Sequence, residues 1–396
     1  MHCRSRHTAA ILFSLTMTLA GCGGGSSQGS ASSPSPSSAA PGIEVVFTAP
    51  AEADNVHTVN TPVALQLGVT AGGTAAPDNT AISLSGANAS FAPVQPLTHG
   101  GLALSTLSAT QVGELQLQAR PAATQDMSGG ATRTLYIRPQ PRPLELLVPA
   151  YFSPGPGSDW DVLASGAQGF PAVSITAILN PGNGIFTKED PLVTAAITAF
   201  RQNGGKVLGY VYTRYGRGTR SVADIQRNID NYRQVYGAQI DGFFLDEMDA
   251  TGKQLDFYRQ IFQYIKGLDS RLRVVGNPGT YSVSDYANVA DALVTFEGQA
   301  AAYRSASPQP ANTWVYRLVN SAQVALVHDA TSCAAMQDTL RSANTPQRNT
   351  GLVYATDLHY DYASNTGNPW AALPRYWPQL LATVDAINKG RALPSC

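Results

Sequence analysis

The chain has 396 residues, of which 13% are charged, and a formal net charge of −1. That length allows two or three domains at ~100–200 residues each, with ample chain for a large core. The near-neutral balance without a basic run excludes nucleic acid as the main partner. No apolar stretch reaches the ~18 residues that a membrane-spanning helix needs.

Residues 1–22 read as an export signal. Arg4 and Arg6 give a positive start, Ala9 to Leu19 a short apolar stretch, and Leu19-Ala20-Gly21-Cys22 resembles the lipobox of bacterial lipoproteins. Cleavage before Cys22 leaves its sulfur as the lipid site. Residues 23–42 carry no charge and no large apolar side chain, which predicts a flexible Gly/Ser/Pro tether. The expected address is the bacterial cell envelope, with the membrane touched only through the lipid and the outer membrane favoured by Gly23. Cys333 and Cys396 remain in the mature chain, and in an oxidising compartment they are expected to pair.

Residues 43–140 alternate apolar and polar positions in short runs, as in Ile43-Glu44-Val45-Val46-Phe47. This period-2 pattern predicts a small all-β, immunoglobulin-like sandwich acting as a spacer. Arg138 to Pro143 forms a stiff, proline-rich junction. Residues 144–396 differ: they hold all four Trp and 16 of the 17 Tyr, so the chemistry is sought there. Eight apolar runs recur in them: Leu144–Tyr151, Ala172–Leu179, Lys206–Thr213, Ile240–Asp246, Leu272–Asn277, Ala292–Phe296, Ala322–Val327 and Gly351–Ala355. Runs without alternation suit strands buried on both faces. Helix signals lie between several of them. Asp190-Pro191 caps one helix, Ser221 with Asp224 forms a capping box for another, and Leu255, Tyr258, Phe262, Ile265 and Leu268 mark a third. Pro374 is expected to open the last. Eight β/α alternations over ~250 residues predict an α/β fold of the (β/α)8 TIM-barrel type.

Active sites in such barrels lie at the C-terminal ends of the strands. The residues that close the runs are polar: Tyr151, Asn180, Tyr212, Asp246-Glu247, Asn277, Glu297, His328 and Asp357. Folding does not require that distribution. Asp246, Glu247 and Glu297 supply carboxylates that burial and mutual repulsion would push to different pKa values, the minimal kit for glycosidic hydrolysis. One of the two adjacent acids also suits a helix N-terminus. Tyr151, Asn180, Tyr212, Asn277, His328 and Asp357 are candidate substrate binders, and Tyr151, Trp160, Tyr212, Tyr215 and Tyr360 candidate stacking surfaces for sugar rings. His328 with Asp329, and Asp357 with His359, fit no common metal spacing, so neither a metal nor a cofactor is expected.

From about Leu147 to Trp377 the chain resembles the spherulation-specific (spherulin-type) family. The resemblance rests on Val148-Pro149-Ala150-Tyr151, Ala177 to Gly184, Val207 to Thr213, Asp241 to Glu247, Asn277-Pro278-Gly279 and Thr295-Phe296-Glu297. It implies a (β/α)8 glycoside hydrolase of family 135. Fungal members of that family cut galactosaminogalactan, a polymer with α-1,4-linked N-acetylgalactosamine. It further implies that Asp246, Glu247 and Glu297 are the essential acids, and the lipobox points to a bacterial polymer of related chemistry. The expectation is therefore a monomeric endo-acting hydrolase with a polysaccharide substrate. A cell-surface lipoprotein that binds polysaccharide without cutting it is the alternative, and it would not need all three acids. A metal-dependent deacetylase is a third reading, disfavoured by the six His.

Overall fold

The computed structural model describes residues 42–396. The signal, the lipobox with Cys22 and the tether up to residue 41 lie outside the described residues.

Residues 43–138 form two facing sheets. One has five strands, built around Ile43–Ala49, Val63–Ala71 and Leu102–Ala109; the other has four, built around Gly113–Pro121 and Ala131–Arg138. Alternation does the work here. In Val63–Ala71 the odd positions Val63, Leu65, Leu67 and Val69 are buried, beside Leu107 of the same sheet, and share one core with Leu117 and Leu135 of the facing sheet.

Eight parallel strands then close into a barrel. They are β1 (Glu145–Ala150), β2 (Ile175–Leu179), β3 (Lys206–Tyr212), β4 (Gly242–Asp246), β5 (Arg273–Gly276), β6 (Ala292–Gln299), β7 (Gln323–His328) and β8 (Leu352–Ala355). β1 pairs with β8 through Glu145–Leu352 and Leu146–Val353, which closes the ring. All of β2, β7 and β8 is buried, as expected for strands covered by side chains within and helices without.

Seven α-helices are present among the described residues: α1 (Asp159–Gly169), α2 (Pro191–Gln202), α3 (Val222–Tyr236), α4 (Leu255–Leu268), α5 (Ala300–Ser305), α6 (Cys333–Ala343) and α7 (Trp377–Asn388). The Asp190 side chain accepts from Leu192 N–H at the start of α2, and Ser221 and Asp224 close a reciprocal capping box on α3. α4 buries Tyr258, Ile261 and Ile265, one helical stripe, against the sheet. Two boundaries depart from the sequence reading. Pro374 does not open α7: it begins a turn closed by Trp377 N–H to Pro374 C=O, and the helix starts at Trp377. β6 does not end at Phe296. A register shift between Val294 and Phe296 admits an extra residue, and the strand continues through Glu297 to Gln299.

Cys333, at the start of α6, is disulfide-bonded to Cys396. Sandwich and barrel also touch. Asn55 and Gln309 exchange two amide hydrogen bonds of 2.8 and 2.9 Å, buried Arg138 donates to Asn349 at 3.2 Å, and Val56 packs with Val315 and Tyr316.

Candidate active site

Parallel pairing places Tyr212 of β3 beside Asp246 of β4, at the C-terminal rim. Two residues earlier on β3, and therefore on the same face, Tyr210 reaches up to Asp246 and donates its hydroxyl to Oδ2 at 2.7 Å. Burial first, and then the charge of Asp246, push the Tyr210 ionisation far upward, so its hydroxyl stays a donor.

Asn277 follows β5, and its side-chain amide is the hub. Nδ2 donates to Asp246 Oδ1 at 2.8 Å and to Glu297 Oε2 at 2.7 Å, so those two oxygens lie no further apart than the two bonds laid end to end. Asn277 Oδ1 is itself held by Gly279 N–H at 2.9 Å, which fixes the amide with its nitrogen toward the acids. Glu297 reaches this position because of the β6 bulge, an insertion that re-aims side chains next to functional sites. Its backbone N–H donates to Gly279 C=O at 3.0 Å, tying both rims together. Burial, with the charge of Asp246 behind it, pushes the Glu297 carboxyl up to about 7, against hydrogen bonds from Asn277 and Trp370 that pull it down. Asp246 also accepts from two donors, the Tyr210 hydroxyl and the Asn277 amide. One amide thus bridges two acids, of which Glu297 is the one pushed to hold a proton near neutrality.

Glu247 is not part of this bridge. Its backbone is left-handed (φ 53°), a turn held by Thr213 Oγ1 and Tyr215 N–H, both donating to Glu247 C=O at 2.7 Å. The side chain sits 3.7 Å from Arg214, and Oε2 is buried without a hydrogen-bond partner among the described residues. Asn277 thus joins Asp246 and Glu297 directly, while the Glu247 charge is felt at Tyr210, whose ionisation it also raises.

The candidate binders divide similarly. Tyr151, at the end of β1, packs edge-on against Tyr210, with centroids 5.6 Å apart, and Asp246 and Glu297 both raise its pKa further after burial. Asn180 follows β2, and its Oδ1 is buried and unpartnered among the described residues. Tyr212 is half-buried, and Arg214 and Arg220 lie over its ring at 5.3 and 4.1 Å. Asp357 is corrected as a binder. Its side chain is 3% exposed and bound to Arg375 at 2.5 Å, which makes it a structural anchor for the loop after β8. His328 lies beside the site, but both its ring nitrogens are taken, by Asp329 at 2.7 Å and the Tyr362 hydroxyl at 3.0 Å, so it does not itself reach for a substrate. Trp160 is core, 1% exposed, with its indole N–H on Phe152 C=O.

A cavity of about 340 Å³ opens beside Glu297, walled by His328, Tyr360, Tyr362, Asn368 and Trp370. Tyr210 and Trp370 escape the sequence reading, because nothing local marks which aromatic of a Tyr-rich barrel turns toward a carboxylate. Tyr362 sits in a Tyr-rich loop after β8, which was the available signal.

Three comparisons bear on this geometry. The model of spherulation-specific family 4 matches residues 145–384. Spherulin-4 of Physarum polycephalum is 33% identical over 156 residues, 39% of this chain and 45% of that protein, so the match spans under half the length of that relative. Sph3 of Aspergillus clavatus, solved in complex with GalNAc, has the same barrel fold, with a TM-score of 0.52 at 24% identity over 61% of this chain and 98% of that one.

Proposed function

The chain belongs to the spherulation-specific family 4, and from that premise we propose that it is a glycoside hydrolase cutting inside an exopolysaccharide rich in α-1,4-linked N-acetylgalactosamine. The observation that carries the proposal is the single amide of Asn277 bonded to both Asp246 and Glu297. Two carboxylates this close, one raised to about 7, suit a general acid and a nucleophile. A pair of acids bridged by one amide suits the close ~5–5.5 Å carboxyl spacing of retaining enzymes better than the ~6.5–9.5 Å that leaves room for a water in inverting ones.

In the first step Glu297 gives its proton to the glycosidic oxygen as that bond breaks, while Asp246 attacks the anomeric carbon. In the second, Glu297 takes a proton from water, whose oxygen displaces Asp246 and restores both groups. Tyr210 and Asn277 hold Asp246 in line. The GalNAc bound by Sph3 supports an amino-sugar substrate. The Leu19-Ala20-Gly21-Cys22 box supports a lipid-anchored protein of the bacterial envelope.

Incubation of the protein with N-acetylgalactosamine-rich polymer should release new reducing ends, with retained anomeric configuration by NMR. The Glu297→Gln and Asp246→Asn variants should release at least a hundredfold fewer. Release at the wild-type level by either variant refutes the assignment.

A further inference from the structure

Around the barrel the site runs Asp246 (β4), Asn277 (β5), Glu297 (β6), then His328 (β7) and the loop after β8. The 340 Å³ cavity is lined by Glu297 but not by Asp246. The cavity therefore lies on the far side of the acid from the nucleophile. In the hydrolase reading, on which this inference rests, the sugar being attacked sits over Asp246 and the departing sugar lies past Glu297. We infer that this cavity is the subsite for the leaving-side sugar, and that the Tyr362 hydroxyl is the hydrogen-bond acceptor that selects a donor group on it.

Hydrogen bonding fixes the direction of that hydroxyl. A carboxylate only accepts, so the 2.7 Å contact between His328 Nδ1 and Asp329 puts the ring proton on Nδ1. Burial lowers the His328 pKa, and the neutral ring keeps a lone pair on Nε2. Tyr362 must then donate its only proton to Nε2, at 3.0 Å. Its oxygen lone pairs are left for the cavity and can only accept. The second oxygen of Asp329 is held by His359 Nδ1 at 2.5 Å, which pins the carboxylate. Tyr362 hangs on a short hairpin, β9 (Tyr360–Asp361) and β10 (Thr366–Gly367), and is 60% exposed. A side chain added at Gly298 would come within 3.8 Å of its hydroxyl oxygen, which places that oxygen over the strand residue next to Glu297. Trp370 and Tyr360 supply apolar walls suited to a pyranose face. The donor recognised is an acetamido N–H or a ring hydroxyl.

The test compares kcat/KM for an α-1,4 N-acetylgalactosamine tetramer with that for the p-nitrophenyl α-N-acetylgalactosaminide, whose leaving group offers no such donor. In Tyr362→Phe the tetramer-to-aryl ratio should fall about tenfold, mainly through KM. Asp329→Asn should lower the ratio similarly while Tyr362 stays in place. An amide whose nitrogen faces Nδ1 donates to it, which moves the ring proton to Nε2 and onto the tyrosine oxygen, and the His328 tautomer read by 15N NMR reports whether that has happened. That response is one a merely structural residue would not give. A tetramer with 2-deoxygalactose at the leaving-side position, which has no donor at that carbon, separates the sources: a preserved tenfold effect assigns a ring hydroxyl, a lost one the acetamido group. An unchanged ratio in both variants, or equal losses on both substrates, overturns the inference and leaves the hydrolase reading intact. If neither compound is cut, the hydrolase reading falls, and calorimetric binding of the tetramer to Glu297→Gln with and without Tyr362→Phe decides the subsite. No binding, or equal binding, overturns it.

Discussion

Glu297 is costly to the fold in its ionised form, and that cost is measurable without any substrate. Its carboxyl is raised to about 7, by burial first and by Asp246 second. Between the ordinary carboxylate range and about 7, the folded protein holds a proton that the unfolded chain has released, so stability falls as pH rises through that window. At about 1.4 kcal/mol per pH unit the full loss is about 3 kcal/mol, trimmed to about 2–3 kcal/mol by water in the adjoining cavity. Glutamine has the shape of the protonated acid and cannot ionise. Glu297→Gln should therefore melt a few degrees higher than wild type at pH 8 and within a degree of it near pH 4, when followed by scanning calorimetry. Titrating groups remote from the site are common to both proteins and cancel, and Asp246 is the coupled neighbour whose own response is checked by the same pair of measurements in an Asp246→Asn background. A variant no more stable at pH 8, or more stable by the same amount at both pH values, would show that Glu297 is not held protonated by its surroundings.

Other outcomes follow from the same geometry. If the protein is the proposed hydrolase with Glu297 as its acid, kcat/KM for polymer should fall above about pH 7 as Glu297 loses its proton; in Asn277→Ala, which removes a hydrogen bond favouring the anion, that limb should move to higher pH while the rate drops. Tyr354 is fully buried with no partner for its hydroxyl among the described residues; Tyr354→Phe should raise stability by about 1 kcal/mol in urea titrations. Cys396→Ser opens the bond to Cys333 across 63 residues and should lower stability by about 2–4 kcal/mol, with added reductant reducing wild type to the same level.

The barrel was legible because its strands are buried on both faces, and unbroken apolar runs such as Ile175–Leu179 have no cheaper place to go. The sandwich was legible for the opposite reason, a strict alternation with one face wet. The position of Asp246 followed from its place at a strand end. What escaped depends on contacts distant in sequence. The bulge in β6 that aims Glu297 has no local signature. Glu247 looks equivalent to Asp246 until the left-handed turn after it is seen, held by hydroxyl and amide groups from the β3 rim. Asp357 closes a strand as a catalytic residue would, and only Arg375, 18 residues on, shows it to be an anchor.

The contact between sandwich and barrel has a practical consequence. Val315 and Tyr316 belong to the barrel's own 3-10 turn, yet they are covered by Val56 and Tyr136 of the preceding sheet, and Asn349 shares its carbonyl oxygen with Arg138. A barrel excised at residue 144 would bare two large apolar side chains and strand several amides. Where the chain can be cut for expression is thus decided by this seam, and a barrel with its apolar seam still covered begins at the first strand of the sandwich.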